Sequence, residues 1–261
     1  QGVEFWNITG NVNGINHSKN TYSTTASFSL NPVMFRGLTE ENSETITAEL
    51  FDDAGNLVQS RSISISIMPM DYWSGSPVTL PFFIERNNPE ILSMHKLVSN
   101  ALFEIAGTTS LDAYQSNDAG LVLSQCAAIY SVLQGLKLFY EEPKQGDFYS
   151  GQRIRLVSEI LRDKSATCLD STLLFCALAE SIGLHPIVCC TYGHSFAGVW
   201  LYGDKMFDSI VHDDPSDIIA LSESLNQKIC IVETTCLTTT PYVPFQIACD
   251  KARKEAIEAE S

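Results

Sequence analysis

Basic side chains are scarce in this sequence. Lys and Arg number 16 against 31 Asp and Glu, giving a net charge of −15 and an isoelectric point near 4.6. A surface so acidic repels phosphate backbones and anionic lipid, which argues against charge-driven binding of nucleic acid by this segment. No apolar run reaches the ~18 residues of a spanning helix, so no membrane partner is expected. No CxxC pair occurs, which removes a common spacing of structural zinc sites. Cys189-Cys190 ahead of His194 is a partial ligand set, but adjacent residues on a strand point to opposite faces. Neither a metal nor a cofactor is therefore expected. Internal repeats and a targeting pattern are also lacking. The chain begins with Gln1 and ends in DKARKEAIEAES without a C-cap. It reads as a piece of a longer protein, with covalently linked domains downstream.

Apolar material is plentiful. Hydrophobic residues make up 44% of the 261 and aromatics 10%, which excludes global disorder and supports a packed core. Most of the eight cysteines sit in apolar runs such as LLFCALA, PIVCCTY and KICIVE. Thiols placed there behave as small buried hydrophobes, which suits a reducing compartment and hence a cytoplasmic location. Asn7-Ile-Thr9 and Asn16-His-Ser18 match glycosylation sequons, no more than chance supplies.

Residues 1–84 read as β. Strands are predicted over 3–9, 22–30 and 44–51. The run Arg61-Ser-Ile-Ser-Ile-Ser-Ile67 alternates, placing Ile63, Ile65 and Ile67 on one face, and Asp52-Asp-Ala-Gly55 marks a hairpin turn. A small antiparallel β-sandwich is expected here. From residue 85 to 261 the pattern is α+β. Asn88-Pro89-Glu90 starts a helix that stops at Gly107, a second is predicted over 118–140, and a short one over 156–161. Thr167 and Asp170 form a capping-box variant at the head of an apolar helix ending near Gly183. Strands are then predicted over 187–191, 195–201 and 228–234.

Chemistry concentrates in this third quarter. Cys168 opens the apolar helix, where unpaired N–H groups and the positive dipole end favour a thiolate. A thiolate nucleophile needs a base, and His194 in Tyr192-Gly-His-Ser-Phe-Ala-Gly-Val-Trp200 stands at a strand mouth. Gly193 permits the tight entry, and Gly198 is expected to leave space beside the histidine. An imidazole needs an acceptor to fix its tautomer. Glu233 fits if its strand neighbours that of His194, with Asp208, Asp213 and Asp214 as competing acids.

Gln152-Arg-Ile-Arg155, Ala166-Thr-Cys-Leu-Asp170, Gly183-Leu-His-Pro186, the His194 segment and Val232-Glu-Thr-Thr235 together resemble the transglutaminase-like superfamily over residues 150–236. A weaker likeness extends upstream through Asp71-Tyr-Trp-Ser-Gly75 and Phe83-Ile-Glu-Arg-Asn-Asn-Pro89. The arrangement resembles the N-terminal region of large bacterial helicase- and nuclease-type defence proteins. The resemblance implies a papain-like core with Cys168 as nucleophile, His194 as base and Glu233 as the orienting acid. In the family that acid is often Asp followed by Pro-Thr. It further suggests Gln152 as an oxyanion donor beside the Cys168 N–H. The implied function is a cysteine hydrolase or acyl transferase on a protein or peptide substrate. The alternative is a non-catalytic sensor or interaction module that keeps the same residues as a structural network.

Overall fold

Asp52 organises the first hairpin. Its carboxylate accepts the backbone N–H groups of Ala54 (3.0 Å) and Asn56 (2.8 Å), and Gly55 takes the left-handed φ of 85° that the turn demands. The turn joins β1 (Asn42–Phe51) to β2 (Leu57–Ile67), paired antiparallel from Asn42↔Ile67, with a bulge at Leu50/Phe51. The structure is a computed structural model that describes residues 37–142, 151–204, 207–223, 227–239 and 241–260. The strands predicted over 3–9 and 22–30, and both sequons, lie outside the described residues. What is described of the expected sandwich is this two-stranded hairpin.

The chain divides into compact units at 1–70 and 71–261. The second unit thus begins at Asp71 rather than at residue 85. Trp73 and Leu80 are too large and apolar to leave in water, and they bury against Ile154, Leu169 and Leu173 of the second unit. Backbone pairing adds to this, since β3 (Tyr72–Trp73) is antiparallel to β5 (Gln152–Arg153).

In this unit α1 (Pro89–Ala106) starts as expected, with Asn88 capping the Glu90 N–H, Pro89 in the first turn and Gly107 in the left-handed conformation at its end. Asp118 caps α2 (Ala119–Gln134). That helix stops well short of residue 140. Gly135, still right-handed, caps it, Lys137 then turns the chain with φ 54°, and Phe139–Tyr140 form β4, parallel to β6 (Ser165–Ala166). The short α3 spans Val157–Asp163.

At the centre lies α4 (Cys168–Ser181), buried at every position from Cys168 to Ala179. A helix sheathed all round can carry an apolar sequence without an amphipathic stripe. Helices α1 and α2 pack on it from one side. On the other lies an antiparallel sheet in the order β7 (Pro186–Thr191), β8 (His194–Trp200), β9 (Ile229–Val232). Its two faces separate by alternation: Ala197, Val199, Cys230 and Val232 join the α4 core, while Phe196, Trp200, Ile229 and Ile231 meet Ala252 and Ala256 of α6 (Phe245–Glu260). The short α5 (Pro215–Ser222) adjoins α6. The unit is α+β, with small, mostly antiparallel sheets. Among the described residues no helix is long and apolar enough to cross a membrane.

Candidate active site

Cys168 is the first residue of α4, and its placement is fixed by polar groups. Thr167 Oγ1 accepts the Asp170 N–H (3.1 Å) while the Asp170 carboxylate accepts the Thr167 N–H (2.9 Å), the reciprocal pair that the sequence predicts. Asp170 is buried. Its other oxygen accepts the Arg155 N–H (2.9 Å), and the Arg155 guanidinium lies 3.0 Å from the carboxylate. The same guanidinium reaches Glu141 at 2.7 Å. Thr172, one turn on, donates to the Cys168 carbonyl (2.8 Å) and lies 2.8 Å from the Thr234 hydroxyl.

His194 is the first residue of β8, entered through Gly193 at φ 75°. Glu233 directly follows β9, which pairs with β8 through Ala197↔Val232. The sheet therefore brings acid and imidazole together: His194 Nε2 lies 2.7 Å from Glu233 Oε2. Glu233 is 4% exposed, and its second oxygen accepts both the N–H (2.9 Å) and the hydroxyl (2.7 Å) of Thr235. The carboxylate is thus held in one orientation. With Nε2 committed to Glu233, Nδ1 is the ring nitrogen left to serve Cys168, whose thiol is coupled electrostatically to His194.

The charge distribution follows from this geometry. Burial raises the Cys168 thiol, but hydrogen bonds from His194 and Ser195 outweigh it and leave the group below its ordinary value. His194 is pushed up to about 10 by its bonds to Cys168 and Glu233, against the opposing effect of burial. Burial raises the Glu233 carboxyl, yet His194 and Thr235 bring it below the usual range. All three shifts favour a thiolate–imidazolium pair backed by a carboxylate.

The competing acids stand apart. Asp208, Asp213 and Asp214 are exposed, and Asp214 instead caps α5 through Ser216. Gln152 lies in β5 opposite Trp73, whereas the side chains that act on the Cys168 thiol are His194 and Ser195, with Tyr140 coupled to it. Gly198 does not hold space open for the histidine; Ile187, Ile229 and Ile231 fill the volume around it.

Two contributors were not anticipated. Ser195 lies within the histidine motif, and its strand phase turns it toward Thr172 of α4 (3.4 Å), so position alone identifies it. Tyr140 carried no usable signal, because a strand of two residues has no period. Its phenol, raised to about 12 mainly by burial and then by Cys168, stays protonated and donates toward the sulfur. Cys168 itself is 4% exposed, while Tyr140 is 41% exposed and His194 half-buried. Among the other thiols, Cys126, Cys176, Cys230, Cys236 and Cys249 are buried, Cys189 is half-buried and raised by desolvation, and Cys190, exposed at its surface, is pushed up to about 12 by the desolvation of its thiol and by Cys168. Among the described residues no group of His, Cys, Asp and Glu is arranged to hold a metal ion.

No family model, curated protein or solved structure matches the chain.

Proposed function

We propose that the second unit is a transglutaminase-like cysteine hydrolase with a papain-like core, acting on amide, isopeptide or ester bonds through Cys168, His194 and Glu233. One observation carries the reading: an imidazole clamped by a buried carboxylate at 2.7 Å, coupled to a cysteine at a helix start whose thiol it draws below its ordinary value. The Cys168 thiolate attacks the substrate carbonyl, forming a C–S bond and a tetrahedral oxyanion. The Cys168 N–H, which has no intrahelical partner in the first turn, and the Tyr140 hydroxyl are the nearest candidate donors to that oxyanion. As the oxyanion collapses, the C–N or C–O bond breaks and the leaving group takes the proton from His194. Water then attacks the thioester while His194 accepts its proton, and thiolate departs. Hydrolysis is preferred to transfer because nothing marks a dedicated amine site. The resemblance in sequence extends the proposal to a role inside a larger bacterial defence protein.

A second reading has its own support. Cys168 is 4% exposed and the Tyr140 phenol bonds to its sulfur, as a sensor module keeping the triad as a structural network would have it. Limiting iodoacetamide across pH 5–8, with the label mapped by mass spectrometry, separates the two. The hydrolase reading expects Cys168 to react first, well below its ordinary thiol value. Even labelling of accessible cysteines, or none at Cys168, would favour the structural network.

A further inference from the structure

Strand β7 forms one edge of its sheet, and among the described residues no strand pairs with its outer side. The phase of its ladder is fixed by the bond from Trp200 N–H to the His185 carbonyl (3.1 Å). Antiparallel pairs alternate between bonded and non-bonded. Ile187, Cys189 and Thr191, opposite Gly198, Phe196 and His194, therefore turn their N–H and C=O groups inward to β8. Val188 and Cys190 turn theirs outward, while Pro186 contributes only a carbonyl. An open edge of this kind is a template for another extended chain.

This edge borders a cleft. It lines a groove of 1250 Å³ that takes in every residue from Gly183 to Tyr192, with apolar walls from Leu80, Pro81, Phe207 and Ile210. The far end of the edge pairs with the strand that carries the candidate histidine. Cys190 stands opposite Ser195, which Thr172 links to the Cys168 backbone (3.4 Å and 2.8 Å), and Thr191 stands opposite His194. Directly opposed residues put their side chains on one face, so the last outward-facing position of the edge sits on the same side as the nucleophile.

From this geometry we infer that the acyl substrate is an extended polypeptide segment that adds to β7 as a fourth strand, bonding to the backbone of Val188 and Cys190 and delivering its carbonyl to Cys168. The inference rests on the proposed hydrolase reading and names its substrate class. Backbone bonding selects for extended conformation rather than for one sequence, and the apolar walls supply what side-chain preference there is.

The test uses the full chain and three probes. One is an N-acetyl-Ala-Val-Ala-Gly acyloxymethyl ketone, the second is its twin N-methylated at alternate backbone nitrogens, and the third is iodoacetamide. Loss of two backbone bonds at ~1 kcal/mol each slows capture about tenfold or more. The parent peptide is therefore expected to modify Cys168 at least about tenfold faster than the twin. Val188→Pro removes an outward N–H while leaving the inward ladder paired, and should lower the ratio of peptide to iodoacetamide rates by about fivefold. Equal rates for parent and twin would overturn the inference even if iodoacetamide singles out Cys168. Failure of iodoacetamide to single out Cys168 would overturn the hydrolase reading instead. Binding of the unreactive tetrapeptide amide and its N-methylated twin to Cys168→Ala, read by fluorescence anisotropy, tests the edge without the chemistry. It also decides the matter should Val188→Pro fail to fold.

Discussion

Replacing Glu233 by Gln is nearly isosteric, yet it should disable the sulfur two residues away in the relay. Glu233 Oε1 accepts two donors from Thr235, so in the variant the amide oxygen is held there and the NH2 is turned to His194. An NH2 cannot accept from Nε2–H, and the ring proton must move to Nδ1, the nitrogen that serves Cys168. The variant loses both the tautomer and the negative charge behind the imidazolium. Unit charges about 4 Å apart interact by ~4 kcal/mol at an effective dielectric near 20, equivalent to roughly three pH units. The equilibrium constant for the thiolate–imidazolium pair should fall by up to about a thousandfold, and alkylation of Cys168 near neutral pH should slow markedly. The assay is stopped-time iodoacetamide labelling from pH 5 to 9, with Cys168 quantified by mass spectrometry. Thermal unfolding of the same samples confirms that the variant is folded. An unchanged rate and pH profile in folded Glu233→Gln would refute the carboxylate's role in holding the ion pair.

Other perturbations give separate readouts. Tyr140→Phe removes a donor to the sulfur at a partly exposed position, and should slow alkylation at pH 6 by about fivefold to tenfold; acceleration would mean that the phenol shields the sulfur more than it stabilises the anion. Arg155→Met leaves the Asp170 carboxylate buried without its cation and should cost about 3 kcal/mol in urea unfolding, with a cost under about 1 kcal/mol counting against the charge chain. The pH dependence of stability has a definite sign. His194 is raised from 6.5 to about 10, so its contribution is complete below pH 6.5 and is lost as pH rises toward 10. Cys168 and Glu233 are lowered, so theirs are present above 9.0 and 4.5 and are lost as pH falls through the lowered values. The difference in melting temperature between the chain and His194→Asn should therefore narrow on the alkaline side, and a difference independent of pH up to 10 would contradict the imidazolium.

The site was legible where chemistry and local geometry coincide. Thr167 and Asp170 announce a helix start by their spacing, which fixes Cys168 at the dipole end before any tertiary contact is known. Gly193 before His194 likewise marks a strand entry. Glu233 was selected from four acids on the assumption that its strand neighbours that of His194, and the β8–β9 register places it there. Tyr140 was not legible, because its two-residue strand forms only through pairing with Ser165–Ala166, and helix-prone residues upstream masked the turn at Lys137. The boundary at residue 70 was missed for a related reason. Trp73 and Leu80 look like the tail of a β-rich segment until Ile154 and Leu169 are seen to cover them. The capture of the sequence's acidic residues by specific partners also lies beyond one-dimensional reading: Glu141 and Asp170 converge on Arg155 only in three dimensions.

That convergence has a geometric consequence. Glu141 immediately follows Tyr140, and Asp170 stands two residues after Cys168, so the guanidinium between them acts as a caliper setting the span from phenol to sulfur. Neither end of the caliper touches the reacting atoms. The aperture above the nucleophile is therefore specified by charge at a distance, and the apolar interior can be repacked over evolutionary time without resetting it.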